Sequence, residues 1–524
     1  MDKIDNLPEL FLRNVVRRRA AGTIVRRLHP KTMNYPRLFE SAEINNMTLA
    51  NKMVLTAMVT RLSGTDGLVN QDIIDRYMRF AAGEVGLIVV EASAIHGAKS
   101  GQLLRINDDK FVPGHEQMVR QIHGSSPSKV ALQIIHFLKI SRSGWRQTVK
   151  MLDKTDIRAI IRNYGEAAAR TREAGYDAVE LHMAHAYTMS SFLSKRSNTR
   201  TDDYGGRSLE TRMRMMTETI LEVRRMVGPD YPIGVRFDAE ECIKNGYGLS
   251  ESKYIALRMA QLGVDYISLS AGGKFEDAIA KEGEALYPYT GYSGDRAMPP
   301  ATYQDGANVY LAAGIKQFVN AQGFNTPIVT TGKISTPEMA EDILATGQAD
   351  LVGFARALLA DPDFPRKART GNTDKIVRCI YGNVCKQLDE KFKKVTCTLW
   401  LRHGLNVPLP DVNDVDGPTW ATDGAVTATR RSNGRVRVEW ESAEDEHGVY
   451  GYEIFRAVNS GPYEHLSSSS TNRYTDETAL AGNQYRYMIK AYDFAGNRSA
   501  ESAPAIVDIP LSVAIEPSRL QLQH

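Results

Sequence analysis

Short apolar runs and longer segments with helical periodicity alternate along the chain from about residue 48 to residue 356. The runs are rich in Val, Ile and Leu and occupy residues 52–57, 86–93, 129–137, 177–181, 232–237, 265–270, 327–330 and 349–354. Helical spacing of apolar residues marks segments such as 156–174, 210–227 and 337–346, each of which ends near a glycine. Because strands that alternate with helices form parallel sheets, eight such units predict a TIM (β/α)8 barrel of the α/β class.

A different pattern begins after residue 402. Residues 403–417 are rich in Pro, Asp, Asn and Gly and show no long period, which predicts a linker. Polar and apolar residues then alternate, as in RVRVEW at 435–440, and turn signals separate such stretches. This pattern predicts a small antiparallel β-sandwich over 418–509, followed by a tail over 510–524. Leu480, five residues before Tyr485, resembles the tyrosine corner of a fibronectin type III module.

Residues 1–34 form a basic N-terminal extension before the barrel, which we place at residues 35–402. The extension holds eight Lys or Arg against three acidic residues, with apolar residues at roughly helical spacing. We interpret it as an arm that contacts another copy of the chain in a homo-oligomer. Nucleic acid and membrane surfaces are not expected partners, because Asp2, Asp5 and Glu9 interrupt its basic character.

The composition excludes several classes of protein. The 524 residues carry 65 Lys and Arg against 62 Asp and Glu, 42% are hydrophobic and 24% are charged, which is typical of a globular protein and excludes disorder and collagen. No apolar run approaches the roughly 20 residues of a membrane-spanning helix. Four cysteines in so long a chain exclude a disulfide framework, and the start has no signal-peptide pattern, so we expect a reducing, cytoplasmic location.

The candidate catalytic and binding residues lie at the carboxyl ends of the predicted strands. In chain order they are Thr56, Ala57, Met58, Glu91, Ala92, Gln133, His182, His185, Tyr187, Arg236, Gly332 and Arg356. The carboxyl ends of barrel strands meet at one face, so we expect these residues to line one site for a small-molecule substrate. A single buried Gln, His or Arg is more often structural, but two imidazoles, a phenol, an amide and a guanidinium together are energetically costly in a core.

Two segments near the end of the predicted barrel have the features of a phosphate site. TTGKIST at 330–336 and VGFARALL at 352–359 each follow a predicted strand and open a predicted helix. A glycine turn at a helix N-terminus presents backbone N–H groups to an anion, and an Arg side chain adds a charged fork. TIM barrels often bind phosphate after strands seven and eight, so these segments predict a phosphorylated cofactor.

One long segment resembles a known family. VELHMAHAYTMSSFLSKRSNTRTDDYGGRSLETRMR at 179–214 is similar to the active-site segment of the old yellow enzyme family of FMN-dependent oxidoreductases. YPRLFESAEINNMTLANKM at 35–53, VVEAS at 89–93, LQIIH at 132–136 and GVRF at 234–237 follow the order of that family, as do the two phosphate segments. The resemblance covers roughly residues 35–400 and implies a barrel that binds FMN.

The resemblance also implies a role for each residue. The backbone of Thr56, Ala57 and Met58 would face the N5 and O4 edge of the flavin. Ala92 and Gln133 would contact its pyrimidine ring, and Arg236 would lie near N1 and O2. The phosphate would be held by Gly332, Lys333, Ala355 and Arg356. His182 and His185 would donate hydrogen bonds to a substrate carbonyl oxygen, and Tyr187 would protonate the substrate. NADH or NADPH would be the co-substrate.

The cysteines form a second, incomplete resemblance. RCIYGNVCKQLDEKFKKVTC at 378–397 is similar to the iron–sulfur segment of the branch that contains 2,4-dienoyl-CoA reductase and trimethylamine dehydrogenase, but Gly382 stands where that branch has its second Cys. Only Cys379, Cys385 and Cys397 remain, whereas a 4Fe–4S cluster normally requires four thiolates. We therefore expect no metal and interpret the three as buried thiols; an iron–sulfur remnant and a zinc site completed by His403 are the alternatives.

Three functions are compatible with the sequence. The first is an ene-reductase, in which hydride passes from NAD(P)H through FMN to an activated C=C. The second is a flavin-dependent dehydrogenase or demethylase of the trimethylamine dehydrogenase or dienoyl-CoA reductase branch, which would need a carrier for its electrons. The third is a binding protein whose sandwich is the active part. The intact set of barrel residues favours the first.

Overall fold

The computed structural model describes residues 35–98, 101–139, 146–276, 294–400, 415–431, 434–446, 449–469, 471–493 and 497–510. The predicted basic extension at 1–34 lies outside the described residues. So do residues 403–414 of the predicted linker and residues 511–524 of the predicted tail.

Eight parallel strands close into a barrel. An antiparallel hairpin of β1 (Ala42–Ile44) and β2 (Met47–Leu49) precedes them. The barrel strands are β3 (Met53–Leu55), β4 (Leu87–Ala94), β5 (Lys129–Ile135), β6 (Ala178–Met183), β7 (Ile233–Glu240), β8 (Tyr266–Ala271), β9 (Ile328–Thr330) and β10 (Leu351–Phe354). Neighbours in sequence pair in parallel, and β10 pairs with β3 to close the ring. The TIM-barrel prediction is confirmed, and each predicted run overlaps one of these strands.

Helices connect and cover the strands. They are α1 (Gln71–Ala82), α2 (Val112–Ser125), α3 (Lys154–Glu173), α4 (Thr188–Leu193), α5 (Leu209–Val227), α6 (Leu249–Gln261), α7 (Val309–Ala321), α8 (Pro337–Ala345), α9 (Arg356–Ala360), α10 (Phe364–Arg369) and α11 (Val384–Glu390). The three predicted helices correspond to α3, α5 and α8. Asp153 starts α3 with a capping box, and Gly228 ends α5 with a φ of 80°. In the part of the chain that the structure describes, no helix combines the length and the apolar character needed to cross a bilayer.

The interior of the barrel is closed at the end opposite the predicted site. Ile44, Met47 and Leu49 of the hairpin pack in one buried cluster with strand residues such as Leu87 and Tyr266. The Tyr266 ring is fully buried and lies against Gly234 on the neighbouring strand β7. A Cβ at position 234 would lie 2.0 Å from Cζ of that ring, so only glycine fits there.

We expect the Gly234→Ala substitution to destabilise the barrel by about 3 kcal/mol, the upper end of the usual cost of overpacking, because the added methyl group overlaps a closely packed aromatic ring. Urea unfolding followed by circular dichroism measures the change in free energy of unfolding. Gly124→Ala is the matched control, since a Cβ at position 124 in α2 meets nothing within 4 Å. That control should be neutral or slightly stabilising. Equal stability of the two variants would contradict the packing argument.

Within the described residues, two larger antiparallel sheets and one two-stranded pair follow the barrel in sequence. The strands are β11 (Thr419–Trp420), β12 (Val426–Arg430), β13 (Val436–Trp440), β14 (Ala443–Glu444), β15 (Val449–Val458), β16 (Glu464–Ser469), β17 (Arg473–Asp476), β18 (Asn483–Asp493) and β19 (Ala505–Ile509). One sheet has the order β12-β13-β17 and the other β16-β15-β18-β19, while β11 pairs with β14. Val438 of the first sheet and Ile454 and Tyr487 of the second belong to one buried cluster, which confirms the predicted β-sandwich.

The tyrosine-corner contact is present in the sandwich. The backbone N–H of Leu480 donates a hydrogen bond to the Tyr485 hydroxyl at 2.7 Å, and that hydroxyl donates to the Leu480 carbonyl oxygen at 3.3 Å. This is the geometry that the spacing of the two residues predicted. Assignment of the sandwich to the fibronectin type III class stays a prediction.

Candidate active site

A cavity of about 860 Å³ opens at the carboxyl ends of the barrel strands. Every residue predicted for the cofactor or the substrate lines it: Thr56, Ala57, Met58, Ala92, Gln133, His182, His185, Tyr187, Arg236, Gly332, Lys333, Ala355 and Arg356. The volume lies in the range of cofactor and ligand sites. The strand ends therefore bring these residues together as expected, and the role of each one stays a prediction.

The loop after β3 forms one wall of the cavity and is held from two sides. The Thr56 N–H donates to the Phe354 carbonyl oxygen at 3.0 Å, which extends the pairing of β3 with β10 by one residue. The Thr60 N–H donates to the buried carboxyl group of Glu91 at 2.9 Å. Burial raises the pKa of Glu91 to about 7. Ala57 and Met58, which lie between the two attachments, are thereby fixed at the cavity.

Gln133 and Arg236 lie on β5 and β7, on either side of β6. Gln133 Nε2 donates to Glu180 Oε1 at 2.6 Å, and Arg236 Nη1 donates to Ser268 Oγ at 2.8 Å. Burial lowers the pKa of Arg236, and the negative charge of Glu180 opposes that shift. Since an amide offers both a donor and an acceptor and a guanidinium offers only donors, this end of the cavity can bind the polar edge of a planar heterocycle.

The opposite end of the cavity contains two cations and a glycine turn. Gly332 has a φ of 116°, and a Cβ there would lie 2.8 Å from Nδ2 of Asn308, so the turn needs glycine. Lys333 Nζ donates to the carbonyl oxygens of Ala301, at 2.9 Å, and Tyr303. Arg356 Nη1 donates to the Pro299 carbonyl oxygen at 2.7 Å and to Asn383 Oδ1 at 2.6 Å.

Tyr381, which no motif indicated, also lies at this end. Its ring centroid is 5.1 Å from Lys333 Nζ and 4.8 Å from Arg356 Cζ, so one aromatic ring contacts both cations. Lys333 and Arg356 are thereby held at a fixed spacing, as a multidentate anion such as a phosphate requires.

His182 and His185 form a hydrogen-bonded chain whose tautomers follow from its ends. The Ala184 N–H donates to His182 Nδ1 at 3.2 Å, so the proton of the neutral His182 ring is on Nε2. His182 Nε2 lies 3.4 Å from His185 Nδ1, and His185 Nε2 lies 2.7 Å from Ser270 Oγ. Each ring therefore donates toward the next group. A substrate oxygen that accepts from both rings has to replace both of these contacts.

Both imidazoles are neutral at physiological pH. Burial lowers the pKa of His182 to about 3 and that of His185 well below its usual range, and the positive charge of Arg236 lowers both further. His185 and Ala186 have φ values of 61° and 57°, a conformation that costs energy for residues other than glycine and is concentrated at functional sites. The His185 N–H donates to Asp238 Oδ2 at 2.7 Å, which stabilises this conformation.

Tyr187 lies beside the histidines, with its ring centroid 5.1 Å from that of His182. Lys274 Nζ lies 4.8 Å from the centroid of the Tyr187 ring, and Lys274 is only 5% exposed. Burial lowers the pKa of Lys274 to about 7, and the nearby charge of Arg146 adds to that effect. Lys274 and Arg146 both line the cavity and were missed by the sequence analysis, because each lies in an irregular segment without a strand-end signal.

The segment after the last barrel helix closes one side of the cavity. Cys385, Asp389, Phe392 and Val395 line the cavity, and the Val395 N–H donates to the Thr60 carbonyl oxygen at 2.8 Å. Burial raises the pKa values of Cys379, Cys385 and Cys397, that of Cys385 to about 11, so these are thiols rather than thiolates.

The described residues include no group of three or more His, Cys, Asp or Glu side chains arranged to hold a metal ion. A Cβ at Gly382 would find its nearest neighbour, Ile380, at 3.9 Å, so packing does not explain the glycine where the related branch has a cysteine. His403, the fourth ligand of the alternative zinc site, lies outside the described residues.

Comparison with known proteins agrees with this geometry. An NADH oxidase from Thermoanaerobacter brockii is 35% identical over 371 residues, which are 67% of this chain and 53% of that protein. An NADPH dehydrogenase from Bacillus velezensis is 32% identical over 353 residues, which are 63% of this chain and 94% of that protein. This chain spans about half the length of the first of these relatives.

A solved structure, the histamine dehydrogenase from Rhizobium sp. 4-9, matches 74% of this chain and 56% of its own with a TM-score of 0.61 at 24% identity, which shows a shared fold. Residues 37–144 and 137–375 match the profile of the NADH:flavin oxidoreductase / NADH oxidase family. These residues include all eight barrel strands and every residue predicted for the cofactor or the substrate. The chain therefore belongs to the NADH:flavin oxidoreductase / NADH oxidase family, with FMN as its cofactor.

Proposed function

We propose that this chain is an FMN-dependent ene-reductase that uses NADH or NADPH to reduce the activated C=C of an unsaturated carbonyl compound. One observation carries the proposal: a single cavity joins a cationic phosphate end, a polar pyrimidine end and a group of two neutral imidazoles and a phenol. The first two features bind a flavin nucleotide. The third has the chemistry to activate a conjugated carbonyl.

The chain's residues fit FMN. Lys333 and Arg356 would contact the phosphate, next to the turn that only Gly332 can form. Gln133 and Arg236 would contact the pyrimidine ring, and the fixed backbone at 56–58 would contact its other polar edge. When bound here, FMN accepts hydride from a nicotinamide and supplies it to a carbon acceptor, and Arg236 stabilises the negative charge that reduction adds.

The substrate side of the cavity acts on the carbonyl group of the acceptor. His182 and His185 are neutral imidazoles, and each has an N–H group that can donate to the carbonyl oxygen. Negative charge accumulates on that oxygen as hydride reaches the β-carbon, so these donors act mainly on the transition state. Tyr187 then supplies a proton to the α-carbon.

The main alternative is a flavin-dependent dehydrogenase or demethylase that oxidises an amine. The fold is shared with the Rhizobium histamine dehydrogenase, which motivates testing it. Such an enzyme must pass its electrons to a separate acceptor, and the cysteine segment has Gly382 where the related branch has its second Cys. A protein that only binds ligands is disfavoured because it has no need for neutral imidazoles beside a phenol.

An anaerobic titration tests the proposal. We expect NADH or NADPH to bleach the flavin absorbance of the purified protein, and 2-cyclohexenone to restore it. Reduction by a secondary or tertiary amine, but not by either nicotinamide, would favour the dehydrogenase. Bleaching by a nicotinamide with no recovery on addition of enones would contradict the ene-reductase proposal, and oxygen would then be tested as the acceptor.

A further inference from the structure

A buried carboxyl group lies next to Gln133 and Arg236, at the end of the cavity proposed to bind the flavin pyrimidine ring. Glu180 is on β6, where it pairs in register with Gln133 of β5 and Gly234 of β7. Its side chain is 1% exposed. A carboxyl group at this depth is costly to bury, so its surroundings should show what it does there.

The first contact of Glu180 fixes an amide. Gln133 Nε2 donates to Glu180 Oε1 at 2.6 Å, and an ionised carboxylate can only accept. The contact therefore decides which end of the Gln133 carboxamide is nitrogen. It leaves the carbonyl oxygen and the second N–H of Gln133 for a ligand in the cavity that this residue lines.

The second interaction of Glu180 is electrostatic. Arg236 lies two residues beyond Gly234, the partner of Glu180 on β7, so the two side chains project from the same face of neighbouring strands. Arg236 lines the cavity, and each of the two side chains shifts the other toward its charged form. Burial raises the pKa of Glu180, and the charge of Arg236 and the hydrogen bonds from Gln133 and Tyr266 offset only part of that rise. Burial raises the pKa of the Tyr266 phenol, and the negative charge of Glu180 raises it further.

We propose that Glu180 is the positioning residue of the flavin site: it orients the Gln133 carboxamide and offsets part of the positive charge that Arg236 presents to the flavin. This inference rests on the proposed binding of FMN at that end of the cavity. Glu180 would thereby influence both how tightly FMN binds and how readily the bound flavin is reduced.

Two substitutions separate these effects. Glu180→Gln keeps an oxygen that accepts from Gln133 but removes the negative charge, so the full charge of Arg236 favours the anionic reduced flavin. We expect the ratio of affinities for reduced and oxidised FMN to rise about tenfold, a positive shift of about 30 mV for a two-electron couple. Glu180→Asp keeps the charge but shortens the reach to Gln133. We expect it to weaken FMN binding about tenfold and to leave that ratio within twofold of wild type.

The measurements are the dissociation constant of oxidised FMN and the potential of the bound flavin, obtained by anaerobic titration against a reference dye. Glu241→Gln is the control, because Glu241 is a partly buried carboxyl group whose pKa burial also raises, but it lines a separate small pocket with Ser194 and Tyr247. It should change neither quantity. Circular dichroism and thermal melting show whether each variant folds, and each variant tests its half of the proposal if the other does not fold.

Wild-type protein that binds FMN and reduces 2-cyclohexenone establishes the proposed function before any variant is made. Given that result, an unchanged ratio of affinities for reduced and oxidised FMN in Glu180→Gln shows that the charge of Glu180 does not affect the flavin. Unchanged affinity for oxidised FMN in Glu180→Asp shows that Glu180 does not orient Gln133. Either result overturns the corresponding half of the inference alone. A shift in Glu241→Gln equal to that in Glu180→Gln overturns the specific role of Glu180.

Discussion

The Tyr187→Phe variant should reoxidise its reduced flavin with 2-cyclohexenone about 10² to 10⁴ times more slowly than the wild type, because it lacks the proton donor for the α-carbon. Reduction of the flavin by NADH or NADPH needs no such proton and should keep its rate. Stopped-flow absorbance measures the two half-reactions separately. The phenol lies against His182 and beneath Lys274, so the lost hydroxyl is at the cavity rather than in the core.

Tyr254→Phe provides the control for this substitution. Tyr254 is 47% exposed on α6 and contacts Phe318 edge to face, so loss of its hydroxyl should leave both half-reactions unchanged. A Tyr187→Phe variant that loses less than threefold in the oxidative half-reaction would assign the proton to another donor. Lys274, whose pKa of about 7 suits proton transfer, would be tested next.

The barrel was predictable because its strands are buried on both faces. Buried parallel strands form continuous apolar runs, such as LIVV at the start of β4, and these runs need no information from distant residues. The predicted ends were less accurate for a physical reason. β7 continues to Glu240, three residues beyond its apolar run, because Asp238 and Glu240 lie at the functional end of the barrel, where polar side chains replace core residues.

The candidate site was predictable where its residues follow strands and not elsewhere. Gln133, His182 and Arg236 are placed by their strands, so their convergence follows from the topology. Tyr381 and Phe392 reach the cavity from a segment without strand periodicity, and their approach depends on tertiary packing. Glu180 was not predicted as a site residue, because its contact with Gln133 joins residues 47 positions apart.

The His182→Ala variant should lower the rate of enone reduction about 10² to 10³ times, because it removes one N–H donor from the oxygen that becomes negative in the transition state. It also leaves His185 Nδ1 without the donor 3.4 Å away. His182→Asn restores an N–H donor and should recover part of the loss. Binding of NADPH to the variants, measured by the flavin spectrum, should change little.

The depressed histidine pKa values predict how this activity depends on pH. Since the folded pKa of His182 is about 3, neither ring gains a proton between pH 5 and 8, and the rate of the oxidative half-reaction should be flat over that range. Stability behaves differently, because the unfolded chain protonates histidine near pH 6.5. A neutral buried His182 therefore contributes stability above about pH 6.5 that is lost progressively as pH falls toward 3, by up to about 1.4 kcal/mol per pH unit.

His123→Ala is the control for the pH profile of activity, since His123 is partly exposed and pairs with Asp177 on the outside of the barrel. Its oxidative half-reaction should match that of wild type at every pH. Wild-type activity could instead rise as pH falls from 8 to 6, with a titration step that is absent in His182→Ala. The group that donates to the substrate oxygen would then be an imidazolium. The neutral chain from Ala184 through both rings to Ser270 would then be the wrong description of the reacting state.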